Sequence, residues 1–529
     1  MRLIISVLCC IMSSSLFADV FLIKLKEDKK SYKLSSQPNN LSEQQIFLDG
    51  ASFDIKSNNK IQTISLPVEK EKHSTLINYL STKTIDPADE KLFNQAAVIK
   101  KITEQNPGKI ELILPADLEL TLFDDIDNNN DETPVLIQGY DNNQQLNMVG
   151  PNSINIDKLT GNYDLANAQP ITVAIIDSGL ARNIPDYLKN KVLSQGGHFQ
   201  LDPSKKSSIF AMSFDNNIAD NSKLNHGTHV AGIVANSTMF NDKVKILMIK
   251  VFEDTHKTSM ATLIPAIEWA LGVEPKNFIF SDFFESLPPV NKSPARVLNL
   301  SLGSDFSDLN KKYGRAFVDS KLQPIKDNTF DIFKILANIA KQKKAVLIFA
   351  EGNESKDVKD VFPQNTPNAD FVLVQAIGKE GNLTHYTNYG SIKGNHVVSA
   401  PGGDYISSEI INGALKDMSP LEKIIIARRL KVYQDPQRGI LSTVDNGYTY
   451  MQGTSMAAPH VAGVASLMLS TNPDLNTSQI GESLIKSQGG TDFTCKAELH
   501  KNKGILSASK KINIGAINAT KAITCVLEK

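Results

Sequence analysis

Short apolar runs recur along the chain from about residue 150 onward, and helical patterns separate several of them. The apolar runs are Ile171–Ile176, Val244–Val251, Val297–Leu302, Ala345–Ala350 and Phe371–Ile377, and the helical patterns include Leu263–Leu271 and Phe330–Lys341. Buried strands that alternate with helices are typical of a mostly parallel sheet with helices on both faces. The sequence therefore predicts an α/β domain whose functional site lies at the carboxyl ends of the strands.

The N-terminal part of the chain lacks this alternation. Val20–Lys26, Ala97–Ile102 and Lys109–Leu114 have the composition of strands, and residues 68–82 have the pattern of a helix. Together these segments predict a small α+β domain that precedes the main domain.

Residues 124–132 form an acidic, Asn-rich segment that a protein core would not accept. This composition predicts an exposed linker between the two domains. Asp125, Asp127 and Asn129 place side-chain oxygens at alternate positions, which is one feature of a calcium loop. The glycine and the closing glutamate of an EF-hand loop are absent, so a linker is the favoured interpretation.

The first residues predict a secretory signal peptide. Arg2 precedes an apolar run from Leu3 to Met12, and the junction after Ala18 is suitable for cleavage. The run is too short to cross a bilayer, and no later segment reaches the length of a membrane span. We therefore expect a secreted protein, extracellular or periplasmic, with a signal peptide at 1–18, an N-terminal domain with its acidic linker at 19–150 and a main domain at 151–529.

Composition narrows the class of protein without identifying it. The 529 residues carry a formal net charge of -1, and 41% of them are hydrophobic. This balance is ordinary for a soluble globular protein. It argues against a nucleic-acid surface, which needs a basic excess.

Two of the four cysteines would leave with the signal peptide, whereas Cys495 and Cys525 would remain. In an oxidising compartment we expect these two to form a disulfide. It would close a loop of about 30 residues and stabilise the fold by roughly 3–4 kcal/mol in chain-entropy terms. Two reduced, buried thiols are the alternative, and two cysteines are too few for a zinc site.

The most informative motif is the stretch Gly-Thr-Ser-Met-Ala-Ala-Pro-His from Gly453 to His460, which leads into an Ala-rich helical pattern. A serine before an apolar helix is most often a helix cap. At this junction Ser455 also lies near the positive end of a helix, where developing negative charge is stabilised. Gly453 allows another segment of backbone to approach closely.

Two upstream motifs give Ser455 a chemical context. Asp177 ends a buried strand, where a turn residue is the simplest interpretation, and His226 and His229 begin a helical pattern. Zinc-binding helices place their histidines four residues apart around a glutamate, which this motif does not do. A serine nucleophile needs a base with a pKa near neutrality and a carboxylate that orients this base. We therefore expect Asp177, His226 and Ser455 to act as acid, base and nucleophile.

A fourth candidate follows another buried strand. Asn353 comes directly after Glu351 and Gly352 at the end of the run Ala345–Ala350. A Gly-Asn pair alone is typical of a turn. Beside a serine nucleophile, the Asn353 amide suits the oxyanion of a tetrahedral intermediate, with the Ser455 backbone N–H as the second donor.

These motifs resemble those of the subtilisin-like serine endopeptidases over roughly residues 150–525. The likeness rests on Asp177-Ser-Gly, His226-Gly-Thr-His-Val-Ala-Gly and Gly453-Thr-Ser-Met-Ala-Ala-Pro-His, and on shorter matches at Asn299–Gly303 and Ala400–Gly402. The resemblance implies peptide-bond hydrolysis through an acyl-enzyme, with His226 as the base and His229 as a structural neighbour. It implies no required cofactor. Structural calcium is common in the family, but no ligands can be assigned to it here.

The same resemblance assigns a substrate pocket. It implies that the residue before the cleaved bond is received between two walls, Ser301, Leu302 and Gly303 on one side and Ala350, Glu351 and Gly352 on the other. An extended peptide would pair with this edge by β-augmentation. A carboxylate at Glu351 or Glu354 would favour a basic residue in the pocket or would merely be solvated, and both interpretations stay open.

The N-terminal domain resembles, more loosely, the inhibitory propeptides of this family. This implies a self-processing zymogen whose partners are protein or peptide substrates and its own propeptide, which would end between about 130 and 165. Insertions near 274–296, 304–330 and 404–440 depart from the family pattern and would form a lid, a partner surface or longer loops. A catalytically silent binding protein on the same fold is the alternative function, although every member of the triad is present.

Overall fold

The computed structural model describes most of the main domain and parts of the N-terminal domain. The described residues are 5–10, 21–25, 44–48, 51–55, 62–67, 86–108, 110–115, 117–122, 148, 153–156, 166–201, 212–253, 257–281, 284, 286–406, 411, 415, 419–488 and 516–527. The prediction of a linker or calcium loop at 124–132 and that of a helix at 68–82 therefore lie outside the described residues.

Seven strands and one helix of the N-terminal part are described. They are β1 (Ile5–Cys10), β2 (Phe21–Leu25), β3 (Gln44–Leu48), β4 (Ala51–Ile55), β5 (Gln62–Pro67), α1 (Pro87–Gln105), β6 (Ile110–Pro115) and β7 (Glu119–Leu122). β1 pairs with β5, β2 with β6 and β3 with β4, whereas β7 joins a sheet of the main domain. The strands predicted at Val20–Lys26 and Lys109–Leu114 are confirmed as β2 and β6.

The strand predicted at Ala97–Ile102 is wrong, because these residues lie inside α1. The side chain of Asp86 caps the start of this helix. The buried face recurs at three-residue spacing, with each residue at most 4% exposed, and consists of Phe93, Ala96, Ile99 and Ile102. This period is helical, and a window of six residues was too short to reveal it.

The main domain contains thirteen described strands. They are β8 (Ile171–Asp177), β9 (Gly197–Leu201), β10 (Met212–Asp215), β11 (Val244–Lys250), β12 (Lys257–Ser259), β13 (Val297–Leu300), β14 (Leu302–Asp305), β15 (Val346–Ala350), β16 (Val361–Phe362), β17 (Val372–Ile377), β18 (His396–Pro401), β19 (Ile440–Val444) and β20 (Gly447–Met451). Eight of them form one sheet in the order β10-β9-β11-β8-β13-β15-β17-β18, in which only β10 and β9 pair antiparallel. The predicted parallel sheet is confirmed.

The described helices of the main domain surround this sheet. They are α2 (Asp186–Lys189), α3 (His226–Ser237), α4 (Met260–Ala270), α5 (Ser307–Tyr313), α6 (Arg315–Gln342), α7 (Pro420–Leu430), α8 (Thr454–Thr471), α9 (Thr477–Ser487) and α10 (Ala519–Leu527). Every residue of α3, and almost every residue of α8, is buried, and these two helices pack against each other. The helical patterns at Leu263–Leu271 and Phe330–Lys341 are confirmed within α4 and α6.

A second sheet joins the two parts of the chain. Its order is β12-β7-β14-β16, so that β7 lies between two strands of the main domain. Both pairings of β7 are antiparallel, with Thr121 opposite Gly303 and Leu122 opposite Leu302 in β14. The Thr121 hydroxyl also donates to the Gly303 carbonyl at 3.2 Å. The N-terminal part therefore enters the main domain as an inner strand.

The insertion at 304–330 forms α5 and the first half of α6, and it contacts α1. Asp89 accepts hydrogen bonds from Lys312 Nζ at 2.6 Å and from the Tyr313 hydroxyl at 2.9 Å. The ring of Phe93 meets the rings of Tyr313 and Phe317 edge to face, with centroids 5.5 and 5.7 Å apart. This insertion is thus a contact surface for the N-terminal part of the chain.

Two predictions about export and cysteines stay predictions. β1 lies within the expected signal peptide, and its pairing does not test cleavage after Ala18. Cys525 is buried in α10, whereas Cys495 lies outside the described residues, so the disulfide is not tested. In the described part of the chain, no helix combines the length and hydropathy that a bilayer crossing needs.

We predict that Phe93→Ala weakens the contact between α1 and the main domain. Phe93 is 4% exposed and packs on two aromatic rings, so its removal leaves a cavity that costs about 3–5 kcal/mol. Denaturant unfolding of the unprocessed Ser455→Ala protein measures this loss. The matched control is Lys100→Ala on the same helix, since Lys100 is exposed and its pair with Glu104 is worth a few tenths of a kcal/mol. Equal effects of both changes contradict the prediction.

Candidate active site

Asp177 and His226 form a buried hydrogen-bonded pair. Asp177 is the last residue of β8 and His226 is the first residue of α3, so strand end and helix start meet at the carboxyl edge of the sheet. His226 Nδ1 lies 2.8 Å from Asp177 Oδ1, and neither residue is more than 2% exposed. Because a carboxylate only accepts, Nδ1 carries the proton and Nε2 is the basic nitrogen of the neutral ring.

Ser178 and Asp220 hold the start of α3 against the end of β8. The Ser178 hydroxyl donates to Asp220 Oδ2 at 2.8 Å and accepts from the backbone N–H of Gly227 at 2.9 Å. A Cβ at Gly227 would lie 2.5 Å from the carbonyl oxygen of Gly179, so only glycine allows this approach. Sequence reasoning missed Asp220, because no motif connects it with the residues that it supports.

Ser455 is the second residue of α8 and has no exposed surface. Its hydroxyl lies 3.4 Å from the carbonyl oxygen of Ser301, and the Ser301 hydroxyl donates to the Ser455 carbonyl at 3.2 Å. Ser301 directly follows β13, the sheet neighbour of β8, so Ser455 lies at the same sheet edge as Asp177. Gly453 is the N-cap residue, which makes the interpretation of Ser455 as a helix cap wrong.

Asn353 is oriented by Thr454. Asn353 Oδ1 accepts from both the backbone N–H and the hydroxyl of Thr454, each at 2.9 Å. Two donors at one atom identify it as the amide oxygen, so Nδ2 is the opposite end of the amide. Gly453 has a φ of +148°, and a Cβ there would lie 3.0 Å from Asn353 Nδ2. Gly453 therefore leaves room for the Asn353 amide, which we expect to bind the oxyanion.

His229 lies inside the protein rather than at the sheet edge. Its Nε2 lies 3.0 Å from the Ile440 carbonyl oxygen and 3.2 Å from that of Thr449, so this ring ties α3 to the hairpin β19–β20. Burial lowers the pKa of His229 to about 3 and that of His460, in α8, to about 4. Both rings are therefore neutral at ordinary pH, which suits the structural role expected for His229.

The predicted pocket residues lie at the start of β14 and at the end of β15, which belong to different sheets. Leu302 and Gly303 begin β14 and pair with β7, and Ser301 precedes them. On the other wall, Ala350 ends β15 and Glu351 follows it without any exposed surface. Burial, partly offset by the Gln375 amide, raises the pKa of Glu351 well above its ordinary value. Burial therefore disfavours the charged form of Glu351, which is the form that would pair with a basic side chain.

Glu354 is the second carboxyl near these strands. Asn388 Nδ2 donates to Glu354 Oε2 at 2.6 Å and to the Glu351 carbonyl at 3.0 Å. Burial raises the pKa of Glu354 as well, despite the hydrogen bond from Asn388. The interpretation of Glu351 as a solvated carboxylate is wrong, because Glu351 is buried, whereas a preference of the pocket for basic residues stays an open alternative. Among the described residues, no cluster of three or more His, Cys, Asp or Glu side chains is placed to hold a metal ion.

Comparison with known proteins places this geometry in a family. Residues 168–508 match the family model described as the subtilase family. The extracellular protease of Xanthomonas campestris pv. campestris is 27% identical over 269 residues, which cover 50% of this chain and 35% of that protein. The epidermin leader peptide-processing serine protease EpiP of Staphylococcus epidermidis is 27% identical over 344 residues, which cover 63% of this chain and 64% of that protein.

A solved structure of a protease from Pseudoalteromonas arctica aligns with 75% of this chain and 100% of its own, at 22% identity and a TM-score of 0.48. The matched regions span between about a third and two thirds of the length of the two curated relatives. The family match covers the sheet, α3 and α8, and with them every element that carries a candidate catalytic residue.

We predict that acid destabilises the fold through His229 and His460. Their folded-state pKa values of about 3 and about 4 lie below the ordinary 6.5, so below pH 6.5 the unfolded chain binds more protons than the folded one. Stability therefore falls as the pH falls, by about 2 kcal/mol per histidine between pH 6.5 and 5.

Denaturant unfolding of the Ser455→Ala protein at these two pH values measures the loss. In a His460→Gln variant of the same protein, the loss should be smaller by about one histidine's share, roughly 2 kcal/mol. An identical pH dependence of both proteins contradicts a neutral His460 in the folded state.

Proposed function

The chain belongs to the subtilase family, and we propose that it is an exported serine endopeptidase made as a self-processing zymogen. The observation that carries the proposal is the buried Asp177–His226 pair, with 2.8 Å between Oδ1 and Nδ1, at the sheet edge where Ser455 lies in the first turn of α8. Burial excludes water from this pair, so the carboxylate fixes the imidazole orientation and stabilises the imidazolium that forms. A binding protein has no need of this arrangement.

The proposed reaction starts with attack of Ser455 Oγ on the carbonyl carbon of the peptide bond. The hydroxyl proton moves to His226 Nε2, and the imidazolium then returns it to the leaving amine as the C–N bond breaks. Water attacks the resulting ester of Ser455 with the same base, which releases the acid product and restores the serine. Asp177 stays ionised throughout.

Charge on the carbonyl oxygen is stabilised by two donors in this proposal. They are the Asn353 Nδ2 group and the backbone N–H of Ser455, near the positive end of α8. Thr454 holds the oxygen of the Asn353 amide, so the donor end does not need to reorient during the reaction. Preorganised donors of this kind are worth about 3–4 kcal/mol each.

Substrates in this proposal are extended segments of proteins or peptides. β7 supports this, because it lies antiparallel between β12 and β14 as a bound peptide strand does. Backbone pairing of this type depends little on side chains, so it favours peptides over small esters.

β7 also supports self-processing and suggests the processed bond. Leu122 is opposite Leu302, and the residue before Leu302 is Ser301, whose carbonyl lies 3.4 Å from Ser455 Oγ. The antiparallel register of Thr121 and Leu122 against Gly303 and Leu302 directs the C-terminal end of β7 at Ser301, beside this serine. We therefore expect cleavage after Phe123, at the start of the acidic segment and earlier than the 130–165 expected from the sequence.

A fluorophosphonate probe tests the proposed activity. We expect the mature protein to form a covalent adduct on Ser455 and to hydrolyse denatured proteins, because both reactions need the activated hydroxyl. Ser455→Ala and His226→Ala should lose both reactions, with the Asp177→Asn variant at least 10³-fold slower in hydrolysis. Peptide mapping by mass spectrometry identifies the adduct. A folded mature protein with neither adduct nor hydrolysis would be the silent binding protein instead.

The N-terminus of the purified protein tests the proposed processing. We expect the mature chain to begin at Asp124, because its own serine cleaves after Phe123, whereas Ser455→Ala should keep the whole N-terminal domain. Intact mass and N-terminal sequencing distinguish the two. Removal of the same segment in Ser455→Ala contradicts self-processing, and a mature N-terminus far beyond 124 contradicts the register of β7.

A further inference from the structure

The two pocket walls separate like the arms of a fork. β13 and β15 pair in the central sheet as far as Leu300 and Phe349. Beyond this point, β14 leaves to join the second sheet, whereas β15 ends at Ala350. We call the gap between Ser301–Gly303 and Ala350–Gly352 the fork. Sheet hydrogen bonds no longer set the distance between its arms.

One side chain bridges the fork. Gln364 Nε2 donates to the Leu302 carbonyl at 2.9 Å and to the Ala350 carbonyl at 2.7 Å. Gln364 has no exposed surface, so water does not compete for these bonds. A side-chain amide nitrogen carries two hydrogens, and each arm of the fork accepts one of them.

The orientation of this amide is fixed by its partners. Both are carbonyl oxygens, which cannot donate, so exchanging the nitrogen and oxygen of Gln364 would break both bonds. Within the described residues, no donor reaches Gln364 Oε1. A methionine would fill similar space without an unpaired acceptor, but it would remove the donors of both hydrogen bonds. The contribution of Gln364 to the fork is therefore the pair of hydrogen bonds donated by its Nε2 group.

The backbone of Gln364 is anchored beside the arm that it bonds. It follows β16, whose Phe362 is opposite Ser304 in β14. On the other edge of β14, Leu302 is opposite Leu122 of β7. The Gln364 amide thus donates to Leu302, the residue opposite β7, and it approaches β14 from the edge that β7 does not occupy.

We propose that Gln364 is a positioning residue that sets the width of the fork and thereby the size of side chain accepted before the cleaved bond. This inference rests on the proposed function, because it requires that the fork receives that side chain. Gln364 touches no reacting atom, so its loss changes which peptides are cut more than the reactivity of Ser455.

Peptides with the sequence of β7, Glu-Leu-Thr-Leu, provide the test. The series Glu-Leu-Thr-Leu-X, with X as Phe, Leu, Ala or Lys before a fluorogenic leaving group, is assayed with wild type and Gln364→Met. We expect the ratio of kcat/KM between the best and the worst X to fall about tenfold in the variant, mainly through KM for the best X. The rate of labelling by a fluorophosphonate without a peptide part should stay within about twofold.

The matched control is Asn365→Leu. Asn365 is 8% exposed and its amide donates to the Lys359 carbonyl at 3.0 Å, so the same chemical change is made next to Gln364 without touching the fork. It should leave the ratio unchanged. Gln364→Asn is the second variant, because the shorter amide reaches one arm at most and keeps the site polar if Gln364→Met does not fold.

An unchanged ratio in a folded Gln364 variant overturns the proposal. A fall in labelling as large as the fall in hydrolysis also overturns it, because Gln364 would then support the whole site. If the wild type neither hydrolyses the peptides nor takes the label, the proposed function fails, which is a different result.

Discussion

The carboxylate of Asp177 has no exposed surface, and a buried charge of this kind requires compensation. The compensation comes from His226 Nδ1 and from the backbone N–H of Ser178 at 2.7 Å. These bonds determine where α3 starts relative to β8, and α3 in turn packs against α8. The position of Ser455 in α8 therefore depends on the hydrogen bonds that compensate the buried carboxylate of Asp177 at the end of β8.

The central sheet was predictable because its strands are buried on both faces. Such strands are continuous apolar runs, and five of them were identified from the sequence alone, among them β8, β13 and β15. The inner strand β7 was not identified, since its four residues gain their partners only from the main domain. Ala97–Ile102 was misassigned for the opposite reason, because a short apolar window hides a helical period.

The candidate triad could be proposed from the sequence because each member stands in a local motif with a glycine one or two residues away. Its supporting residues could not be. Asp220, Thr454 and Gln364 act through one or two hydrogen bonds to segments elsewhere in the sequence, and no sequence spacing predicts such bonds. Thr454 is partly an exception, since it belongs to the serine motif. Sequence patterns thus reveal reactive groups more readily than the groups that orient them.

The covalent link between β7 and the rest of the chain has a kinetic consequence. A strand tethered beside its own binding groove has an effective concentration in about the millimolar range, so free peptides at micromolar concentration compete poorly with it. The proposed cleavage would change this strand from an intramolecular occupant into an ordinary ligand that dilution can remove. Occupancy of the groove would then depend on the concentrations and affinities of the released segment and of the free peptides.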